Sequence, residues 1–231
     1  MINVVFCGYR EWAFEIFRKI SNHSKVNIVR KIDSNEAFRS EVQQLDPKSI
    51  DVILFIGWSW LISEDITKKF LCLGIHPSDL PQYRGGSPIQ HQIINGIKQS
   101  KVSLMTLSDE KVDAGDIWLK EELDLSGDTM NSIFTNIVAS SVKLLNKFFD
   151  SYPNIKAYAQ EIEQGSYYKR RKPLESKLTP EDFKDKSLEY LYNFIRSLTD
   201  PYPNAYLEDD LGNKLIFKEV KYVPNKNIDL E

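Results

Sequence analysis

His76 is the residue of this sequence best suited to moving a proton. It follows the apolar run LCLGI, which predicts a buried strand, and it opens the loop HPSDLPQYRGGSP. In an open α/β sheet the ligand crevice lies beyond the carboxyl ends of the strands, where a histidine can act as general acid or base. A turn histidine bonded to backbone is the alternative. We expect His91, on the next predicted helix, to pack or contact substrate, and His23 to lie at the surface.

The segment VDAGD, residues 112–116, supplies two carboxylates, Asp113 and Asp116, around a turn of small residues. An ordinary polar turn explains most pentapeptides of this kind. If Asp113 meets His76 in the fold, however, its carboxylate would orient the imidazole ring and favour the charged form. The pair is therefore a candidate site for proton transfer.

The cysteines favour neither a metal site nor a disulfide. Cys72 and His76 are four residues apart, a spacing that holds a metal on a helix, whereas this run predicts a strand. Cys7 also lies in an apolar run, where cysteine behaves as a small hydrophobe. We therefore expect no metal and a cytoplasmic setting. The sequence also lacks a signal-like N-terminus and an apolar stretch of about 20 residues, so no membrane contact is expected.

Three further segments are weaker signals. The segment FIGWSW places Trp58, Ser59 and Trp60 after a predicted strand, where large aromatic residues form either core or a flat ligand wall. YRGGSP could let backbone approach a phosphate, but it matches no phosphate-loop spacing. The cluster KRRK, residues 169–172, is more typical of a solvated face than of a nucleic-acid contact.

Alternating strands and helices must position these residues. Apolar runs and 3.6-residue periodicity alternate through the first half, which favours an α/β fold with a parallel sheet covered on both faces. An antiparallel pair, KVSLMTL and DIWLKEEL, follows with the loop Ser108–Gly115 between its strands, and Asp128 or Thr129 is expected to cap a long helix. The predicted strands are Ile2–Cys7, Val26–Ile32, Asp51–Ile56 and Leu71–Ile75.

From Tyr167 the sequence becomes charged and loses its periodicity, which predicts a connector to a smaller unit. We place the boundary between a larger domain, residues 1–166, and the connector with the C-terminal subdomain, residues 167–231. Within the subdomain, apolar residues from Leu188 to Leu198 predict a helix. Residues 205–222 resemble a β-hairpin that turns at Asp210–Asn213.

Length and charge limit the function. The 231 residues suit one large domain or one domain with an appendage, and 42% hydrophobic with 27% charged residues excludes a disordered or collagen-like chain. The 30 basic residues against 33 acidic ones give a net charge of −3, which argues against a nucleic-acid-wrapping surface.

The elements GIHPSDLPQYRGGSPIQ and VDAGDIWLKEELDL, in this order, resemble the folate-dependent formyltransferases. That family includes methionyl-tRNA formyltransferase, glycinamide ribonucleotide formyltransferase and the sugar N-formyltransferases. The likeness extends from FCGYREWAFEIF to RSLTDPYPNAY. It implies a Rossmann-like catalytic domain that binds N10-formyltetrahydrofolate, with a small C-terminal helix and β-hairpin unit.

The resemblance also implies roles for individual residues. The family's catalytic His and Asp correspond to His76 and Asp113, but Gly74 stands where its catalytic Asn is expected. His76 would take a proton from the attacking amine or donate to the formyl oxygen. A backbone N–H, a water or Ser78 could replace the missing amide. The folate pocket would comprise Trp58, Ser59, Trp60, Asp113 and Asp116, and the acceptor would contact Arg10, Tyr83, Arg84 and Gln90.

We expect the acceptor to be a nucleotide-linked 4-amino-4,6-dideoxy sugar, dTDP- or UDP-linked, on a surface-glycan or pseudaminic-acid-like route. Methionyl-tRNA formyltransferases carry a larger additional domain than the segment following the connector here, and the purine enzyme lacks the DPYPNA tail. Two alternatives remain open: a methionyl-tRNA formyltransferase, and a catalytically silent relative that binds folate or nucleotide sugar. The C-terminal hairpin is a candidate for acceptor binding or for a homodimer contact.

Overall fold

A mixed six-stranded sheet forms the centre of the protein, with strand order β2-β1-β3-β4-β6-β7. The computed structural model describes residues 1–108 and 111–225. Strands β1 to β4 are parallel, whereas β6 runs antiparallel to both β4 and β7. The strands are β1 (Ile2–Cys7), β2 (Val26–Ile32), β3 (Val52–Phe55), β4 (Cys72–His76), β5 (Arg84–Gly85), β6 (Gln99–Thr106), β7 (Ile117–Asp124), β8 (Tyr167–Tyr168), β9 (Ala205–Glu208) and β10 (Lys214–Phe217).

Helices cover both faces of the sheet, as predicted. Alternate residues of β1 point to opposite faces: Val4 and Phe6 join the core beneath α1 and α5, while Val5 and Cys7 join the core beneath α2 and α3. The sequence prediction of an α/β fold is confirmed. The helices are α1 (Glu11–Ile20), α2 (Asn35–Glu41), α3 (Glu64–Thr67), α4 (Pro88–Ile94), α5 (Met130–Ser151), α6 (Asp182–Asp185) and α7 (Leu188–Arg196).

Local chemistry sets the helix starts. The Thr129 side chain accepts from Ser132 N while the Ser132 side chain accepts from Thr129 N, and this reciprocal cap starts α5. The prediction of a helix capped at position 128 or 129 is therefore confirmed at Thr129.

The C-terminal segment packs onto the α/β sheet through a buried arginine. Arg196, 1% exposed, donates from one guanidinium nitrogen to the carbonyl oxygens of Leu125 and Gly127, each at 2.7 Å. The predicted helix corresponds to α7, and the predicted hairpin to the antiparallel pair β9 and β10.

The predicted connector packs against the larger part of the fold. Strand β8 at the start of the predicted connector pairs with β5, so this part of the chain lies against the loop that follows His76. Within the predicted loop Ser108–Gly115, residues 109 and 110 lie outside the described residues. Among the described helices, none combines the length and apolar character needed to cross a membrane.

Candidate active site

A cavity of about 590 Å³ lies at the carboxyl ends of β1, β3 and β4. Its wall is built from the segments that follow these three strands, from the start of α4, and from parts of the chain after residue 105. This is the crevice in which open α/β sheets bind ligands. The cavity contains both His76 and Asp113.

His76 and Asp113 form an ion-pair geometry inside this cavity. His76 ends β4 with its side chain 7% exposed, and its Nδ1 atom lies 3.5 Å from Oδ2 of Asp113, which is 18% exposed. Their shielding from water strengthens the interaction between a carboxylate and a protonated imidazole. The structure thus brings together the two residues that the sequence paired.

The other ring nitrogen determines which atom of His76 can accept a proton. Nε2 lies 2.8 Å from the carbonyl oxygen of Tyr83. A carbonyl oxygen only accepts hydrogen bonds, so Nε2 must carry a hydrogen. The free lone pair of the neutral ring is therefore on Nδ1, facing Asp113.

Asp113 is held in place by backbone and by a distant glutamine. Its Oδ2 accepts a hydrogen bond from Gly85 N at 2.9 Å, and its φ of 53° lies in the left-handed region. Gln160 donates from Nε2 to the carbonyl oxygens of Asp113 and Gly115, at 3.1 and 2.6 Å. At Gly85, φ is 95° and a Cβ would lie 2.2 Å from Tyr168 O, so glycine is required for this approach.

An aromatic wall forms another part of the cavity. Trp58, Ser59 and Trp60 all line it, and Trp58 also packs against the core beneath α2 and α3. The rings of Trp58 and Trp60 are 5.0 Å apart at 67°, and Ser59 Oγ lies 2.6 Å from Tyr9 OH. The indole Nε1 of Trp58 is buried without a hydrogen-bond partner among residues 1–108 and 111–225.

Three arginines line the cavity: Arg10, Arg170 and Arg171. Within the described structure, none of the three forms an ion pair with a carboxylate. Arg171 Nε is buried without a partner, and burial lowers the pKa of its guanidinium. The sequence of residues 169–172 favours a solvated face. This interpretation missed Arg170 and Arg171, since nothing in an aperiodic segment shows that it folds back onto β5.

Three of the predicted site residues lie away from the cavity wall. Tyr83 contributes its carbonyl oxygen to His76, while its ring stacks on Tyr168 at 5.0 Å and 8°. Arg84 lies in β5 with Nε buried outside the cavity. Asp116 is exposed, and its carbonyl oxygen accepts from Thr106 N at 2.8 Å.

The other two histidines also lie away from the wall. His91 donates from Nε2 to Lys169 O at 3.0 Å and packs on Tyr168, so packing is its observed role. Burial lowers the pKa of His91. His23 is not a fully solvated residue, because it packs on Phe149 and lies 3.5 Å from Asp150.

The space beside Gly74 is filled by a neighbour. Gly74 lines the cavity, and a Cβ atom placed on it would lie 2.7 Å from Cδ2 of Leu107. Leu107 therefore leaves no room for an amide side chain at position 74 unless Leu107 moves.

Gln90, which the resemblance implies as an acceptor contact, lies on α4 and lines the cavity. Its side chain is 3% exposed, yet Nε2 has no hydrogen-bond partner among the described residues. Grouped His, Cys, Asp and Glu side chains able to hold a metal ion do not occur in residues 1–108 and 111–225.

This fold and site define an α/β enzyme with a histidine–aspartate pair at the carboxyl edge of its sheet. A family model described as formyl transferase matches residues 9–146. The chain belongs to the formyl transferase family, whose enzymes use N10-formyltetrahydrofolate as the formyl donor.

Individual relatives agree on the family. The chain is 28% identical over 239 residues to methionyl-tRNA formyltransferase of Rickettsia massiliae (strain Mtu5), covering 89% of this chain and 76% of the relative. The structure of methionyl-tRNA formyltransferase from Clostridium thermocellum is 30% identical, with a TM-score of 0.73 over 91% of this chain and 89% of that one. A sugar N-formyltransferase from Shewanella sp FDAARGOS_354 shares the fold at 17% identity, with a TM-score of 0.74 over 97% and 100% of the two chains.

The cavity suits the folate donor. A flat heteroaromatic ring with several nitrogen and oxygen atoms needs an aromatic surface and hydrogen-bond donors. The cavity offers the rings of Trp58 and Trp60, and the unpartnered Nε1 atoms of Trp12 and Trp58. The residues present therefore fit the donor that the family uses.

Proposed function

We propose that this enzyme transfers the formyl group of N10-formyltetrahydrofolate to the amine of a nucleotide-linked 4-amino-4,6-dideoxy sugar. The observation that carries the proposal is the combination, in one cavity, of the His76–Asp113 pair with three arginines that form no carboxylate ion pair within the described structure. The histidine–aspartate pair is suited to removing a proton from an amine, and the arginines are suited to holding an anionic acceptor.

The aromatic wall is the proposed site of the donor. Trp58, Ser59 and Trp60 would hold the pterin ring, with indole N–H groups available to its acceptor atoms. When bound, the folate supplies an activated formyl carbon for attack by an amine.

His76 would serve as the general base of the reaction. Its Nδ1 takes the proton that the attacking amine loses, while Nε2–H stays bonded to Tyr83 O and fixes the ring. Asp113 then stabilises the imidazolium from 3.5 Å. The proton comes to lie between two side chains that are largely shielded from water.

The arginines would bind the phosphates of the nucleotide. The planar guanidinium group matches phosphate oxygens bidentately, and a bound anion offsets the burial that lowers the pKa of Arg171. Arg170 and Arg171 come from the segment around β8, so the acceptor would be bound between this segment and the end of β1. The reaction would take place in the cytoplasm. The two free, buried cysteines agree with this setting.

Methionyl-tRNA is the second candidate acceptor. The specific observation in its favour is that relatives of 28% and 30% identity carry the name methionyl-tRNA formyltransferase. Its terminal amine could use the same histidine, and its phosphates the same arginines. Since both acceptors could use the same residues, a direct assay with each acceptor is needed to distinguish them.

The test is mass spectrometry of formyl transfer. The full chain is incubated with N10-formyltetrahydrofolate and, separately, with dTDP- and UDP-linked 4-amino sugars and with methionyl-tRNA. We expect one amino sugar to gain a formyl group with an equal amount of tetrahydrofolate released. Formylation of methionyl-tRNA alone would identify methionyl-tRNA, and not an amino sugar, as the acceptor. Folate binding without any product would identify a silent relative.

A further inference from the structure

Formyl transfer needs a hydrogen-bond donor at the formyl oxygen. When an amine attacks the formyl carbon, negative charge develops on this oxygen, and a preorganised donor stabilises it. Gly74 supplies no side chain, and Leu107 fills the space beside it. The donor must therefore come from another part of the wall.

His76 cannot fill this role while it holds its observed geometry. Its only N–H in the neutral form is engaged with Tyr83 O at 2.8 Å, and its Nδ1 faces Asp113. Donating to the formyl oxygen from Nε2 would break the contact that fixes the ring. The histidine is thus committed to proton acceptance.

Four residues that line the cavity each have a buried side-chain nitrogen without a partner among the described residues: Trp12 Nε1, Trp58 Nε1, Gln90 Nε2 and Arg171 Nε. The two indoles lie on the aromatic side of the cavity, where Trp12 stacks on Phe134 and Trp58 packs against Trp60. Arg171 also donates to Glu175 O and belongs to the arginine group. Gln90 is the neutral amide of the set.

The helix that carries Gln90 is hydrogen-bonded to the segment that follows His76. Gln92, two residues further along α4, donates to Pro77 O at 2.7 Å and to Pro88 O at 3.0 Å. Pro77 directly follows His76, so these hydrogen bonds tie α4 to the end of β4. A buried amide donor without a partner is destabilising, and a ligand acceptor would offset this penalty.

We propose that the Gln90 carboxamide donates from Nε2 to the oxygen of the formyl group during transfer. This inference rests on the donor half of the proposed function and is independent of which amine accepts the group. Gln90 would then supply the amide that glycine at position 74 cannot.

The direct test is infrared spectroscopy of the bound formyl group. N10-formyltetrahydrofolate with ¹³C in the formyl carbon is bound to the full chain without acceptor, and its carbonyl band is isolated by subtracting the ¹²C spectrum. A hydrogen bond weakens the C=O bond, so the band should shift to higher frequency in Gln90→Met. Gln44→Met, at an exposed glutamine, is the matched control and should leave the band unchanged.

Two further measurements separate this role from folding and folate binding. Gln90→Met should bind tetrahydrofolate, which lacks the formyl group, as tightly as the wild type, while kcat with the accepted amine falls about 10²–10³-fold. Gln90→Leu has an apolar side chain of similar size that cannot donate, and it should give the same upward band shift.

Two results would overturn the inference. A formyl band at the same frequency in the wild type, Gln90→Met and Gln90→Leu would show that Gln90 does not contact the formyl oxygen, with the proposed function intact. Absence of a bound formyl band in the wild type would instead remove the donor half of the proposed function, and this inference with it.

Discussion

Nδ1 of His76 lies 3.5 Å from Oδ2 of Asp113, and the opposite ring nitrogen is bonded to the carbonyl oxygen of Tyr83. The histidine is thereby held at both edges of its ring, by a neutral acceptor on one side and a carboxylate on the other. In the neutral ring, this arrangement leaves the lone pair on Nδ1. We therefore expect the negative charge of Asp113 to affect turnover more than the shape of its side chain does.

Asp113→Asn should lower kcat by about 10²–10⁴-fold while tetrahydrofolate binding stays close to wild type. Asparagine keeps an oxygen that can accept from Gly85 N, and it tolerates the left-handed φ of 53° at this position. What it loses is the charge that stabilises the imidazolium. His76→Ala should have a similar effect. Single-turnover kinetics and calorimetric titration check this pair, and near-normal turnover in either variant would remove the proton-transfer assignment.

Gln160→Leu should loosen the loop that carries Asp113. Its two hydrogen bonds to the carbonyl oxygens of Asp113 and Gly115 are lost, and a net contribution of about 0.5–1.5 kcal/mol each predicts roughly a 5- to 100-fold fall in kcat. Hydrogen exchange at residues 111–116 should increase. Gln43→Leu, at an exposed glutamine, serves as the control. Unchanged exchange in the loop would show that Gln160 does not position Asp113.

Arg171→Met should weaken binding of a phosphate-bearing acceptor. A charge-assisted hydrogen bond contributes about 1.5–3 kcal/mol, which corresponds to roughly a 10- to 100-fold rise in the acceptor KM. Tetrahydrofolate affinity should not change. Arg39→Met, at an exposed arginine of α2, should alter neither constant. An unchanged acceptor KM in Arg171→Met would exclude this side chain from acceptor binding.

The pH dependence of stability should include a component from Glu121. Burial alone would raise the pKa of this carboxyl, but the hydrogen bonds from Lys143 and Lys147 outweigh it and lower the pKa below 4.5. Because the pKa is lower in the folded state, the ionised carboxylate stabilises the fold above the unfolded pKa. This contribution is lost as pH falls through the folded pKa.

Glu121→Gln should therefore lose less stability than the wild type between about pH 7 and pH 3.5, as measured by urea unfolding. Glu122→Gln, at an exposed position on the same strand, is the matched control. Parallel pH profiles for the wild type and Glu121→Gln would contradict the predicted contribution.

The sequence predicts the elements of this fold better than it predicts the walls of the cavity. Strand β1 and helix α1 follow from local periodicity, and His76 follows from its place at the end of a strand. Arg171 and Gln160 carry no such signal. Gln160 acts through backbone oxygens in a loop far away in the sequence, and Arg171 reaches the cavity only because β8 pairs with β5. The hydrogen bond between His76 Nε2 and the carbonyl oxygen of Tyr83 has no signal in the sequence either, because backbone oxygens are the same in every residue.

Gly74 and Leu107 should be coupled energetically. A Cβ atom at position 74 would lie 2.7 Å from Cδ2 and 3.3 Å from Cγ of Leu107, so Gly74→Asn should cost about 1–3 kcal/mol of stability through overpacking. Trimming the neighbour creates the missing space. We therefore expect the double variant Gly74→Asn with Leu107→Ala to lose less unfolding free energy than the two single variants lose together. The difference in a double-mutant cycle should be about 0.5–3 kcal/mol.

The same pair of substitutions tests how the amide donor is supplied. If Gln90 provides it, Gly74→Asn with Leu107→Ala should recover part of the turnover lost in Gln90→Met, because the new amide enters the same cavity. In the wild-type background the pair should raise kcat little, since one donor is already present. Large activation in the wild-type background would mean that the native site lacks a donor. Additive stabilities would show that Leu107 does not occupy the space next to Gly74.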